Sequence, residues 1–169
     1  MAQTEEVSRL LAGAAKTIAG IRYCWLVTEA QTGGWNARPM GRLLNGVDEN
    51  DWIIRFVIDG QSRKAFDLRH AAEVGLIFQH ADDAFVVLMG KAILIEEASE
   101  VHQLWKEAYS AYFPGERDRA NAAFVQVDVD RMELWVRGVT PEPFGRHPTT
   151  LERGAEGVWR LTSGDRSAA

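Results

Sequence analysis

Seven runs of apolar or alternating residues fill most of the stretch between residues 22 and 138: "RYCWLVT", "NARPMGRLL", "DWIIRFVI", "VGLIFQ", "AFVVLMGKAILIE", "AFVQVDV" and "RMELWVRG". Turn residues, and not regularly spaced helices, separate most of them, which excludes a doubly wound parallel sheet. A mainly β fold follows: a mostly antiparallel β-barrel with helices added at the gaps, since closure of the sheet removes exposed edges. "AFVVLM" is apolar at every position. Both faces of that strand need cover, and a second subunit is the natural source of the outer cover.

Helical periodicity occurs at two places. Val7, Leu10, Leu11, Ala14, Ala15 and Ile18 share one face of an opening helix, with Thr4 as N-cap and Gly20 as the stop. Val101, Leu104, Trp105, Ala108 and Tyr112 mark a second helix, capped by Ser99 and ended by Pro114-Gly115, that crosses between strands. The chain divides into a barrel domain with its N-terminal helix, residues 1–140, and a tail, 141–169. The tail carries a small hairpin turning at Gly154 to Gly157 and a disordered end.

With 24 acidic against 19 basic residues the net charge is −5, which opposes any general attraction to nucleic acid or an anionic membrane. No apolar run reaches the roughly 18 residues of a spanning helix. The single cysteine, Cys24, fits a reducing compartment, and a cytoplasmic location is expected. Sequence signatures of dinucleotide, P-loop, serine-hydrolase and zinc-protease sites are missing. The four histidines lack ligand spacing, so no metal site is expected.

Two basic groups stand out. The period of a strand puts Arg38, Met40 and Arg42 on one face of "NARPMGRLL" and Ala37, Pro39, Gly41 and Leu43 on the other. A solvated strand face and a ligand-binding face both satisfy that pattern. Pro39 cannot donate to a ladder, so the strand lies at an edge or is bulged. In "DGQSRKAFDLR", Ser62, Arg63 and Lys64 open a short helix. Cations are unfavourable beside the positive end of a helix dipole unless something negative joins them. Asp67, at i+4 from Arg63 and i+3 from Lys64, could pair locally with either. A phosphate held by Ser62, Arg63, Lys64 and the free amides of the first turn is the other reading.

"ARPM", "DWIIRF", "SRKA", "VVLMGKA", "LWKEAYSAYFPG" and "MELW" occur in that order. Together they resemble the FMN-binding split-barrel proteins, specifically the general stress protein branch of the pyridoxamine 5'-phosphate oxidase-like superfamily, over roughly residues 5–137. The resemblance implies a homodimer with FMN in the clefts at its interface. Arg38, Arg63 and Lys64, with Ser62, would then hold the FMN phosphate. Pro39 and Met40 would border the isoalloxazine ring. Val57 and Ile58 would offer backbone contacts where oxidase-type relatives have Tyr-Thr. Phe85 would replace a glutamine of the oxidases, and Trp135 would reach the flavin across the dimer.

The oxidases' C-terminal Arg-x-His substrate motif is reduced here to adjacent Arg146 and His147. An FMN-dependent oxidoreductase of unknown small substrate is therefore the expectation, and not a true pyridoxamine phosphate oxidase. Its rivals are a non-catalytic flavin-binding sensor or reserve protein, and a barrel that takes a deazaflavin or haem.

Overall fold

The computed structural model describes residues 2–43, 51–81 and 83–162, with side chains from Thr4 onward. Asp82 and residues 163–169, where the tail end expected to be disordered falls, lie outside the described residues.

Eight strands form one sheet in which every pairing is antiparallel: β1 Tyr23–Glu29, β2 Trp35–Gly41, β3 Ile53–Asp59, β4 Glu73–His80, β5 Ala84–Ile95, β6 Ala122–Val136, β7 Thr149–Arg153 and β8 Trp159–Thr162. The order is β2-β1-β4-β5-β6-β7-β8, and β3 pairs with β6 beside this path. β2 is thus an edge strand, the position that Pro39 tolerates.

The sixth and seventh apolar runs are one continuous strand, β6. Its first half pairs with β3 and its second half with β7. Between the halves, Asp130 has no partner on β5, because Met89 faces Arg131 while Gly90 faces Val129. A Cβ on Gly90 would lie 2.1 Å from the Asp128 carbonyl oxygen, so the two backbones meet at a distance that glycine alone permits. This bulge lets one long strand serve both parts of the split sheet.

Strand alternation fills the interior. Leu26, Leu76, Leu88, Met132 and Leu151 follow one another across five strands through paired positions, all fully buried. Each large side chain so placed contributes about 1.5–3 kcal/mol by its removal from water.

Helix α1, Ala2–Ala19, buries Val7, Leu10, Ala14 and Ile18 against this core as its spacing requires. It begins before Thr4, which is therefore inside the helix and accepts from Ser8 Oγ at 2.9 Å, and is not its cap. Arg42 closes the other end. Its Nη2 donates to the Ile18 carbonyl at 2.8 Å and its Nε to that of Ile21 at 3.1 Å, which places a cation at the negative end of the helix.

The predicted crossing helix is broken into pieces: α3 Ala98–Leu104, a 3₁₀ turn at Glu107–Ala111, and α4 Glu116–Ala120. Glu97, and not Ser99, caps α3, accepting from the amides of Ser99 and Glu100 at 2.9 and 3.1 Å. The break at Trp105 has a tertiary cause. Trp105 packs edge-on against both Tyr109 and Phe113, and Tyr109 against Phe124 of β6, an arrangement that one straight helix would not provide.

β7 and β8 form a hairpin through Gly154–Gly157 that extends the main sheet. Trp159 of β8 packs edge-on against Trp52, and Arg153 Nη1 donates to the Asp51 carbonyl at 2.9 Å. No described helix is long and apolar enough to cross a membrane.

Candidate functional site

Helix α2, Arg63–His70, follows β3 directly through the turn Asp59–Ser62. Ser62 occupies the N-cap, but its hydroxyl turns back to the Asp59 carbonyl at 2.5 Å and caps nothing. Arg63 is exposed and Lys64 half-buried. The turn is held from below by Arg69, whose Nη2 donates to the Gly60 carbonyl at 2.7 Å while the same guanidinium pairs with Glu96 of the segment after β5.

Asp67 does not pair with Arg63 or Lys64. The helix turns it inward, to 3% exposure, where a single oxygen, Oδ2, accepts from Thr28 Oγ1 at 3.1 Å, Asn36 Nδ2 at 3.0 Å and Arg38 Nη2 at 2.8 Å. Arg38 Nη2 also donates to Thr28 Oγ1 at 2.8 Å. β1, β2 and α2 are thereby bolted together by one carboxylate. Burial alone pushes the Asp67 carboxyl up. The hydrogen bonds from Asn36, Thr28 and Arg38, with the charge of Arg38, outweigh burial and hold it below its ordinary range.

The face of Arg38, Met40 and Arg42 is consequently not a solvated one. Met40 and Arg42 are buried and Arg38 is mostly so, because this side of β2 covers the core and the end of α1.

The cationic cluster is one acceptor short. Arg38 Nη1 lies inside the protein with no hydrogen-bond partner. A buried donor left in that state costs about 1–3 kcal/mol. Lys64 is likewise poorly compensated: burial, and next the charge of Arg38, push its ammonium down, against an opposing pull from Asp59. Two cations from separate elements therefore lie close together at the start of a helix, where the first amides have no intrahelical acceptor. The residues fit an anion such as a phosphate ester.

The other expected contacts are elsewhere. The side chains of Met40 and Ile58 belong to the core, so each can offer only backbone to a ligand, and Val57 is half-buried beside them on β3. Pro39 points away from Arg38 to the outer face of the sheet, opposite Trp25. Phe85 and Trp135 are direct cross-strand partners on that same outer face, with Gln79 next to Phe85. Trp25 (51% exposed), Ile77, Val87 and Pro39 complete a row across it. Within one chain the cation cluster and the aromatic pair thus occupy opposite sides of the sheet.

Among the described residues no three His, Cys, Asp or Glu side chains converge as metal ligands. Burial pushes the Cys24 thiol up to about 12 despite the charge of Arg42 nearby, so it is inert at neutral pH. Sequence reasoning does not single out Thr28 or Asn36, and it reads Asp67 only as a possible local partner of Arg63 or Lys64. The available signal is an acid next to the apolar Leu68 on α2, which is compatible with an inward-facing carboxylate.

Against this geometry the comparisons can be set. A family model described as "Pyridoxamine 5'-phosphate oxidase like" matches residues 11–140. A protein related to general stress protein 26 from Clostridium acetobutylicum superposes with a TM-score of 0.67 at 14% identity, over 84% of this chain and 93% of its own. A pyridoxamine 5'-phosphate oxidase-related, FMN-binding protein from Nostoc punctiforme does so with a TM-score of 0.64 at 15% identity, over 90% and 93%. A haem-binding protein from Mycobacterium smegmatis gives 0.60 at 14% identity, over 85% and 57%. At these identities the solved structures establish the split-barrel fold. No curated protein matches significantly.

Proposed function

Because the chain belongs to the pyridoxamine 5'-phosphate oxidase-like family, we propose that it binds FMN as a homodimer and acts as an oxidoreductase on a small substrate. The observation that carries this reading is the uncompensated pair of cations, Arg38 and Lys64, beside the first turn of α2, with Arg63 exposed next to them. A flavin phosphate supplies the missing acceptor and the missing negative charge.

In this reading Lys64 and Arg63 neutralise the phosphate, the amides of Arg63 and Lys64 at the first turn of α2 donate to it, Ser62 joins them by turning its hydroxyl away from the Asp59 carbonyl, and Arg38 contributes its free Nη1. The backbone of Pro39, Met40, Val57 and Ile58 borders the ring. The outer face with Trp25 and Ile77 is the surface that a second copy covers, which brings Phe85 and Trp135 to the partner's flavin as apolar, water-excluding walls. When bound, FMN supplies hydride chemistry at its reactive nitrogen, and the protein supplies position and polarity. Arg146 and His147 are adjacent, without the Arg-x-His spacing of the oxidases, and that departure supports a substrate other than pyridoxamine phosphate.

The visible spectrum of the purified protein, with identification of whatever is released on denaturation, tests the proposal. A flavin spectrum and released FMN are expected. A colourless protein that fails to take up added FMN overturns the reading, and a released deazaflavin changes the ligand. Reduction by NADH or NADPH with an added acceptor tests turnover; a bound flavin that never cycles assigns a sensor or reserve role instead.

A further inference from the structure

We infer that Asp67 is a positioning residue for the anion site, holding Arg38 and the first turn of α2 in the one relative placement in which Arg38 and Lys64 flank a common space. The inference rests on the flavin-phosphate reading above and deepens it.

The geometry is specific. Three donors from two strands meet one oxygen of a helix residue: Thr28 Oγ1 at 3.1 Å, Asn36 Nδ2 at 3.0 Å and Arg38 Nη2 at 2.8 Å. Arg38 Nη2 donates to both Asp67 Oδ2 and Thr28 Oγ1, which restrains the guanidinium and leaves Nη1 without a partner. Asp67 lies one helical turn beyond Lys64. A shift of α2 along β2 would break the carboxylate's contacts and separate the two cations together.

Simple electrostatics and positioning make opposite predictions. A carboxylate this close to a phosphate site repels the ligand, so deleting its charge should tighten binding if charge alone mattered. If Asp67 positions the cations, deleting it weakens binding. The charges acting on Lys64 are Arg38 from β2 and Asp59 from the end of β3; on its own helix Arg63 is its exposed neighbour and Asp67 is turned inward to Arg38. With Asp67 neutral the charge of Arg38 is no longer offset by its own carboxylate partner, and Asp59 alone opposes it at Lys64. Lys64 then loses its proton at lower pH, which a general loss of stability would not cause.

The test is an equilibrium titration of the full chain with FMN and with riboflavin between pH 7 and about 10.5, for the wild type, Lys64→Ala, Asp67→Asn and Asn36→Ala. Wild type is expected to prefer FMN, and Lys64→Ala to lose that preference. Asp67→Asn should weaken FMN about tenfold at pH 7, leave riboflavin unchanged, and move the alkaline loss of FMN affinity to lower pH. If Asp67→Asn does not fold by circular dichroism, Asn36→Ala, which removes one of the three donors, carries the test with a smaller change in the same directions. Unchanged or tighter FMN binding in the folded variant, with Lys64→Ala still defective, overturns the role of Asp67 and leaves the flavin reading standing. A wild type that binds riboflavin as well as FMN overturns both.

Discussion

On the Arg38 side of β2, polar groups that come from three elements are matched almost completely within one chain: Asp67 collects Thr28, Asn36 and Arg38, and one guanidinium nitrogen is left. On the Pro39 side, Trp25 and Ile77 are exposed and Val87 beside them is half-buried, with the half-buried Phe85 and Trp135 on the same face. The two sides are separated by one strand's thickness, yet they need different things. The inner side has one donor to spare; the outer side leaves apolar side chains exposed. A single polypeptide can finish polar matching locally because hydrogen bonds are directional and short. An apolar sheet face is matched by area rather than direction, which is why the proposed function gives this one to a second copy.

The comparison breaks most sharply at Asp67. Asp67→Ala should cost about 3–5 kcal/mol in urea unfolding, because it strands a mostly buried Arg38 without its counter-charge. A cost below about 1 kcal/mol, typical of a surface pair, would make the inner side no more organised than solvent-exposed polar surface.

Next in size is the outer face. Trp25→Glu should weaken a homodimer by about 2–4 kcal/mol, seen as monomer in light scattering at concentrations where wild type is dimeric. Val158→Glu places the same charge at another exposed apolar residue, in the β7–β8 hairpin turn, and should leave the oligomer unchanged. Equal effects from both substitutions would remove the distinction between this face and ordinary exposed apolar residues.

Arg63→Ala with Lys64→Ala should cost about 2–3 kcal/mol of FMN affinity while riboflavin affinity changes little, as two charge-assisted contacts disappear. Isothermal titration with both ligands checks it. Equal losses for the two flavins would place the phosphate away from α2.

The smallest effect concerns pH and has two opposed signs. The Lys64 ammonium is pushed down in the folded protein, chiefly by burial, so the unfolded chain holds that proton to higher pH. Stability of the ligand-free protein should therefore rise slightly as pH climbs through the folded pKa toward the unfolded value of about 10.4. FMN affinity should fall over the same window, since the neutral amine no longer attracts phosphate. Urea unfolding and FMN titration along one pH series test both. Parallel slopes would show that Lys64 does not contact the anion.

The fold was largely legible because its signals are local. Short apolar runs such as "DWIIRFVI" and "AFVVLM", bounded by turn residues, mark strands, and Val7, Leu10, Ala14 and Ile18 mark the buried side of α1. The crossing helix was misread because its period continues through residues 101–112 while packing of Trp105 on Tyr109 and Phe113 breaks the backbone. The merging of two runs into β6 was hidden for a related reason: a bulge at Asp130 interrupts the sequence pattern without ending the strand.

By itself, the sequence determined a mainly β chain with one long N-terminal helix and cations at the start of α2, since periodicity and charge are properties of neighbours along the chain. The tertiary structure alone decided that Asp67 serves Arg38 and not Lys64, that Arg42 caps α1, and that Phe85 and Trp135 face away from the cations. Those outcomes depend on how residues tens of positions apart are brought to within about 3 Å, a distance at which a hydrogen bond forms or fails, and no local pattern encodes it.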